Sequence, residues 1–429
     1  MKTKQSIQFI LSMSLVAGLA WGQSFFDANL GSEVFWGSGK SVAMGKTSLF
    51  NDGSAAQVLL NPAGLAIGPN TQFVSVIAAG RQIHERRGID LMDTFGDFLT
   101  TGDYVSNEKL YPHHYLGWVK RMPFENATTA LGISHGRLIS FDYSYSEEVR
   151  GRLSLDDGVI GIKDPIIGYH ILETEGVLDV TSAGLGLNMP VDEGALAVGL
   201  GVHWVGDATV SNDIKVEEIQ VGEGFLSYLP TASWEQELKA DYFVSISGQW
   251  QCITGVQLAA SYQSELKMER TLNETLSTGG YRIYDPVLLP AIDTDFVRPA
   301  RVEVGLAYRP VTQTPMSLVL SLEQIDYGNP LRDVHIWKFG FEYLAMRSLP
   351  VRAGMIFQEL PVQTVNPISL FTFGTGRQIG NLQIDLAGTY GINEYQHHDL
   401  FPVDGDVRPD YDRVKESQLQ LILGLNYAW

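Results

Sequence analysis

The sequence predicts an all-β fold: a transmembrane antiparallel β-barrel of about 14 strands with an N-terminal hatch, or plug, in its lumen. Three observations carry this. The final segment alternates to its last residue, with Leu419, Leu421, Leu423, Leu425, Tyr427 and Trp429 on one face and Gln420, Ile422, Gly424, Asn426 and Ala428 on the other. A strand with lipid on one side and a lumen on the other requires that period of two. Strand-like runs recur from residue 72 onward, joined by short connections on one rim and mostly long ones on the other. Beyond the first 22 residues no stretch reaches the run of about 18 apolar residues that a membrane helix needs, although mean hydropathy is close to zero. A soluble sandwich also ends on an alternating strand, but it has no reason to sort its connections by length.

In chain order, residues 1–22 read as a signal peptide. Lys2 and Lys4 open it, Ile10 to Leu19 form its apolar run, and Ala20-Trp21-Gly22 is a cleavage site, so the mature chain starts at Gln23. Residues 23–71 lack strand alternation and are rich in Gly, Ala and Ser. They are the plug, and residues 72–429 are the barrel. The strands are expected near 72–81, 114–122, 127–149, 177–189, 194–207, 236–249, 253–265, 299–309, 316–328, 334–345, 350–360, 367–376, 380–391 and 416–429. Connections at 123–126, 190–193, 250–252, 310–315, 346–349 and 377–379 are short. Those at 82–113, 150–176, 208–235, 266–298 and 392–415 are long, while 329–333 and 361–366 are brief. Short periplasmic turns opposite long extracellular loops is the outer-membrane pattern. With strands about 4.8 Å apart and tilted about 40°, 14 of them close at a diameter of roughly 28 Å, too wide for side chains alone to fill.

Alternation assigns the charges. Val302, Val304, Leu306 and Tyr308 share one face, as do Trp337, Phe339, Phe341 and Tyr343, and Leu382, Ile384, Leu386 and Tyr390. A charge facing lipid near the midplane costs about 2–4 kcal/mol. Arg301, Glu303, Glu323, Lys338, Glu342, Arg352 and Asp385 are therefore placed in the lumen, as a polar network that pairs with the plug rather than one that selects ions. The formal net charge of −19 argues against a nucleic-acid partner. A single cysteine, Cys252, excludes an intrachain disulfide framework and any multi-cysteine metal site.

Within the plug stand Gly39-Lys40-Ser41-Val42-Ala43-Met44-Gly45, then Asn51-Asp52-Gly53-Ser54-Ala55-Ala56, then the hatch motif Asn61-Pro62-Ala63-Gly64 followed by Leu65. This resembles the N-terminal hatch of the FadL family of outer-membrane transport proteins, over about residues 39–66. The Leu349-Pro350-Val351-Arg352-Ala353-Gly354 hairpin start is similar too. Lys46 departs from the pattern, standing where the family has a small residue. The resemblance implies an outer-membrane barrel of a Gram-negative-type bacterium that takes up hydrophobic small molecules passively, long-chain fatty acids among them. It implies no cofactor. The PorV-type proteins of the type IX secretion system share the same hatch and barrel, so a secretion or surface-attachment role that binds protein cargo stands as the alternative. The implied partners are outer-membrane lipid and lipopolysaccharide, a hydrophobic ligand, the barrel-assembly machinery that reads a C-terminal signal such as Leu425, Tyr427 and Trp429, and, in the alternative, secretion-system proteins.

The same resemblance points to extracellular loops three and four as a capture groove, here Phe225, Leu226, Tyr228, Leu229, Tyr284, Val287, Leu288, Leu289 and Phe296. Packing of the loops on each other explains these residues as well. On the third strand His135 and Arg137, with Gly136 between them, interrupt an apolar odd-numbered face that resumes at Ile139, Phe141, Tyr143 and Tyr145. The family has a kinked third strand that opens the wall sideways, and 135–137 is the candidate for it; a tight turn or an outer-interface site accounts for the same residues. Asn61-Pro62 is a turn starter that ends a short helix, gates the lumen, or does both. In loop one, Ile89, Met92, Phe95 and Leu99 suggest a short amphipathic helix capping the barrel. Asp404-Gly405-Asp406, His113-His114 and His397-His398 fall short of a metal-ligand set, so no metal is expected. The sequence holds no Gly-x-Ser-x-Gly elbow and no His-Glu-x-x-His, and nothing in it supports an enzyme.

Overall fold

The computed structural model describes residues 27–35, 37–50, 52–69, 71–150, 165–191, 194–219, 226, 229, 231–277, 294–310, 315–345, 349–362, 365–401 and 411–429. The signal-peptide reading lies outside these residues, as do Phe225, Tyr228, Tyr284, Val287, Leu288, Leu289 and the Asp404–Asp406 pair.

Fourteen antiparallel strands form one closed barrel. They are β1 Gln72–Met92, β2 Phe98–Phe124, β3 in two pieces Ala127–Ser140 and Tyr143–Arg150, and β4 Ile166–Glu175 with Val177–Val191. Next come β5 Gly194–Val205 with Ala208–Glu218, β6 Ala232–Leu238 with Asp241–Ile253, and β7 Val256–Gln263 with Leu266–Met268 and Arg270–Ser277. β8 is Phe296–Arg298 with Arg301–Tyr308, followed by β9 Met316–Ile325, β10 Val334–Ala345 and β11 Leu349–Gln358. β12 Ile368–Ile379, β13 Leu382–His398 and β14 Tyr411–Ala428 complete the wall. Each strand pairs with its sequence neighbours, and β14 closes on β1 in unbroken register from Phe73↔Ala428 to Gly88↔Arg413. Closure leaves no free edge strand, since unpaired backbone groups in hydrocarbon cost several kcal/mol each; the ladder is interrupted between β2 and β3, above Tyr115↔Gly136.

The period of two separates the faces as expected. Val302, Val304, Trp337, Phe339, Leu421 and Tyr427 are exposed on the outside, while Glu303, Lys338, Arg352 and Asp385 are buried inside. No helix among the described residues is long and apolar enough to cross a membrane.

Several local expectations change. Among the described residues, short turns fall at Glu125–Asn126, Thr254–Gly255 and Gly380–Asn381, so the last two are displaced by a few residues from 250–252 and 377–379. Among the described residues the long connections are largely strand. Loop one is no helix: β1 and β2 run on as a hairpin to Met92↔Phe98, turning at Asp93, whose Oδ1 accepts from the Phe95 and Asp97 amides at 2.8 and 2.9 Å. Beyond the apolar belt both faces of a strand meet water, so alternation fades although the ladder continues.

Before β1 come three short helices, α1 Asp27–Leu30, α2 Gly39–Ala43 and α3 Gln57–Leu60, then a 3-10 turn at Pro62–Ala66. Ser38 caps α2, its Oγ accepting from the Ser41 amide at 3.2 Å. These elements are too short to be stable alone. They are held because Val42, Ala43, Ala55, Ala56, Val58, Ala63 and Leu65 are all buried against the inward faces of the strands.

Candidate functional site

The segment from Ser38 to Ala66 makes polar contacts round the inner wall. The Ala55 amide donates to Ser75 Oγ on β1 at 2.7 Å, and the Ala63 amide to Ser247 Oγ on β6 at 2.9 Å. The Gly45 amide donates to Thr372 Oγ1 on β12 at 2.9 Å. From the wall, Gln263 Nε2 donates to the Leu59 carbonyl at 3.0 Å and Arg121 Nε to the Leu65 carbonyl at 2.6 Å. Backbone groups that end short helices thus find partners on the strands rather than in water. The Asn61-Pro62-Ala63-Gly64 turn fits closely against the wall. Pro62 starts the 3-10 turn, Asn61 Nδ2 donates to the Leu49 carbonyl, and β5 approaches through Gly199, where a Cβ would stand 2.1 Å from the Ala63 nitrogen.

Two charge networks flank this segment. On one side Lys338 Nζ bridges Glu303 at 3.0 Å and Glu323 at 2.7 Å, and Arg301 contacts Glu323 at 3.4 Å. On the other, Arg352 bridges Glu342 at 2.7 Å and Asp385 at 2.5 Å. The first network includes Glu33 of the N-terminal segment, which receives Arg298 Nε at 2.9 Å and Arg301 Nη1 at 2.9 Å. Burial alone would raise the Glu33 carboxyl, but the two guanidinium groups outweigh it and hold it at about 2. Lys46 lies in the same region; burial and the nearby Arg81 and Lys338 charges push its amine well below the usual lysine range.

Above this floor is a cavity of about 260 Å3. Its lower lining is charged (Glu33, Lys46, Arg298, Arg301, Lys338) and its upper lining apolar (Ile325, Ile336, Ile356, Leu360, Val362, Leu370). Its roof belongs to a second cluster at the long-loop mouth, where Tyr143, Tyr145, Leu172, Trp234, Leu400 and Phe401 are buried together. At the short-turn end a more open recess of about 700 Å3 is lined by Lys40, Asp52, Arg121, Arg309 and Arg352 among others.

Beside the cavity the wall is broken. The β2–β3 ladder runs from Phe124↔Ala127 to Tyr115↔Gly136 and then stops. It resumes only at Val105↔Glu147, next to the Ser146 amide, which donates to Asn107 Oδ1 at 3.1 Å. On its other edge β3 shifts register against β4 between Arg137 and Ile139. The N-terminal segment takes the vacated edge: Ser32 pairs with Ser140, Glu33 with Ile139, and the Val34 amide donates to the Leu138 carbonyl at 3.1 Å. Phe35 stacks on Tyr115 at 4.0 Å and Arg81 donates to Ser32 Oγ. Gly31 makes the turn into this pairing at φ 73°, where a Cβ would stand 2.4 Å from Ile139. Ser32, Phe35 and Leu138, which seal the break, also line the cavity.

No family model matches the sequence, and no curated protein matches it either. Among solved structures, a FadL homologue of Pseudomonas aeruginosa aligns over 92% of this chain and 99% of its own, at TM-score 0.60 and 13% identity. The Pseudomonas putida toluene transporter TodX covers 92% and 98%, at TM-score 0.57 and 13% identity. The Ralstonia pickettii toluene transporter TbuX covers 92% and 98%, at TM-score 0.53 and 15% identity. The chain has the fold of a FadL-type barrel.

In this FadL-type barrel the residues singled out from sequence fall in different places. His135 and Gly136 are still paired to β2; the departure starts at Arg137, slightly later than expected. On the outer face His135 Nδ1 meets Thr181 Oγ1 at 3.0 Å and Arg137 approaches Asp179 at 3.6 Å. Ile139, Phe141, Tyr143 and Tyr145 do not rejoin the outer face: all four are buried inside, because one extra residue at the register shift turns every later side chain over. Of the capture-groove residues, Leu226 is buried, its amide donating to Glu218 at 2.6 Å. Phe296 is a wall residue packed edge-on to Phe141 at 5.4 Å. His113 points inward and His114 outward, so the pair cannot share an ion. Among the described residues no group of three His, Cys, Asp or Glu is placed to hold a metal. Sequence reasoning missed the 31–35 segment, Arg298 and the mouth cluster; the one available sign was Glu33, a lone acid between Asn29 and Phe50.

Proposed function

We propose that this chain is an outer-membrane channel for passive uptake of hydrophobic small molecules, with long-chain fatty acids among its cargo. One observation carries the reading. A single cavity is lined both by Val362 under the mouth and by Ser32, Phe35 and Leu138 at the break in the wall. An apolar solute that enters beneath the mouth is one sealed step from the bilayer. The apolar upper lining suits a hydrocarbon body, and the charged floor suits a polar end group. In this reading residues 23–71 form the hatch, Asn61-Pro62-Ala63-Gly64 seats it, and the wall opens sideways next to His135, Gly136 and Arg137 when the 32–35 segment leaves the β3 edge. TodX and TbuX, which share the fold, are described as toluene transporters.

The seal provides the test. Ser32 and Ser140 are opposed across an antiparallel pair, where Cα atoms lie about 4.5–5.5 Å apart, within the range a disulfide spans. In a Cys252→Ser background, Ser32→Cys with Ser140→Cys is expected to abolish uptake of labelled fatty acid and labelled toluene when oxidised and to restore it on reduction. Uptake that continues at full rate with the disulfide formed would rule out the sideways route.

A further inference from the structure

At the centre of the buried mouth cluster is a ring supplied by a loop. Phe401 follows β13 in an acidic connection, yet it is only 4% exposed. Asp399 Oδ1 accepts from the Phe401 amide at 3.0 Å, a local turn that fixes the backbone there while the side chain lies buried. The ring lies flat on the His170 imidazole of β4, with 3.6 Å between centroids and 13° between planes. Tyr145 of β3 meets it edge-on at 5.6 Å and 61°. β14, β1, β2 and β3 lie between β13 and β4 around the wall, so Phe401 reaches across the mouth instead of packing on its own neighbours. Val362, in the same cluster, roofs the cavity below.

The flat contact at 3.6 Å on His170 and the edge-on contact of Tyr145 both use the π-system of the ring, which a saturated ring of like size lacks. We propose that the slot between His170 and Tyr145 is a recognition site for planar aromatic rings, filled at rest by the chain's own Phe401 and open to a solute ring that replaces it. Its place in transport rests on the uptake reading above; the binding does not. Exchange of one phenyl for another leaves the buried area unchanged, so the tether decides the competition. A short tether gives its ring an effective concentration in the millimolar range. Free aromatics therefore bind the intact protein weakly, and more tightly once the resident ring is gone.

The test titrates the full chain in detergent micelles with phenol and with cyclohexanol, rings of like size and polarity, by calorimetry against protein-free micelles. Phe401→Ala is expected to tighten phenol binding at least about tenfold relative to the unaltered chain, as removal of a tethered competitor requires. Cyclohexanol is expected to gain several-fold less, since aromatic pairing adds about 0.5–1.5 kcal/mol beyond area burial. Adding His170→Ala to Phe401→Ala is expected to abolish the preference for phenol. Equal gains for the two alcohols would mean that the variant has merely made a void, and no gain for phenol would mean that the slot does not bind rings; either result overturns the proposal. Retention of the heat-dependent electrophoretic shift of a folded barrel shows that the variants have assembled. Loss of hydrophobic uptake in the intact protein, with phenol discrimination kept, would sink the transport reading and leave the slot standing.

Discussion

Glu33 ties the 31–35 segment to Arg298 and Arg301 of the wall beside the β3 edge. Its carboxyl, held at about 2 against an ordinary 4.5, is ionised over the whole physiological range. The folded value lies below the unfolded one, so its contribution is complete above about pH 4.5 and is lost only as pH falls toward 2. Basal permeability, measured by liposome swelling, is therefore expected to stay flat from pH 8 to about pH 5 and to rise only in stronger acid. The side chain keeps 31% of its surface open to the cavity, so water screens part of the interaction. Charged hydrogen bonds of this kind contribute about 1.5–3 kcal/mol. Glu33→Gln leaves Arg298 and Arg301 facing a neutral group and is expected to raise basal permeability at pH 7 about tenfold, a little below that range because water screens part of the interaction. A Glu33→Gln barrel as tight as the unaltered one would show that backbone pairing alone holds the seal. The barrel side of this contact was legible: alternation placed Arg301, Glu323 and Lys338 in the lumen. Glu33 was not, since residues 23–71 have no strand period to indicate which wall they meet.

At the level of elements, the N-terminal segment is held by close fits to the wall, its own helices being too short to stand alone. At Gly199 a side chain would collide with backbone atoms of Pro62 and Ala63, which cannot turn aside as a flexible side chain can. Gly199→Val is expected to lift the Asn61-Pro62-Ala63-Gly64 turn off β5, an overpacking cost of about 1–3 kcal/mol. The expected signs are protease cleavage within residues 39–66 and higher conductance, with the barrel's electrophoretic shift kept. A seated, protease-resistant 39–66 segment in that variant would mean that β5 yields instead. β3 shows what alternation cannot report. Its odd positions read as one face from Leu131 to Tyr145, yet the extra residue near Leu138 divides it, because pairing with β4 and with Ser32–Glu33 outweighs the local pattern. Likewise the spacing of Ile89, Met92, Phe95 and Leu99 fits a helix in isolation, but the neighbouring β14 offers a ladder up to Gly88↔Arg413 and the hairpin wins.

For the whole molecule, strand number and closure were readable because they depend on the apolar belt, which one property of each residue determines. The final strand shows both. Trp429 exchanges backbone hydrogen bonds with Gln72, at 2.9 and 3.3 Å, and stacks on Tyr427 at 5.9 Å, so the last residue fastens the seam between β14 and β1 at the short-turn rim. Both backbone bonds survive any side-chain change. Leu423, further up the same face, is exposed on the outer wall. In an outer membrane the cost of a charge depends on depth, about 2–4 kcal/mol near the midplane and about 0–1 kcal/mol at the interface. Leu423→Arg is therefore expected to lower the urea midpoint of the folded barrel markedly, whereas Trp429→Lys leaves it close to the original. In cells the order reverses if the chain is the outer-membrane channel proposed above and its terminal aromatic is the signal read at assembly: Trp429→Lys then lowers the amount of assembled barrel, while barrels that do assemble take up solute at the usual rate per molecule. Equal destabilisation by the two substitutions in urea would place Trp429 deep in the hydrocarbon and contradict the rim assignment. Normal assembly of Trp429→Lys would reduce the terminal stripe to a lipid-facing strand with no role in recognition.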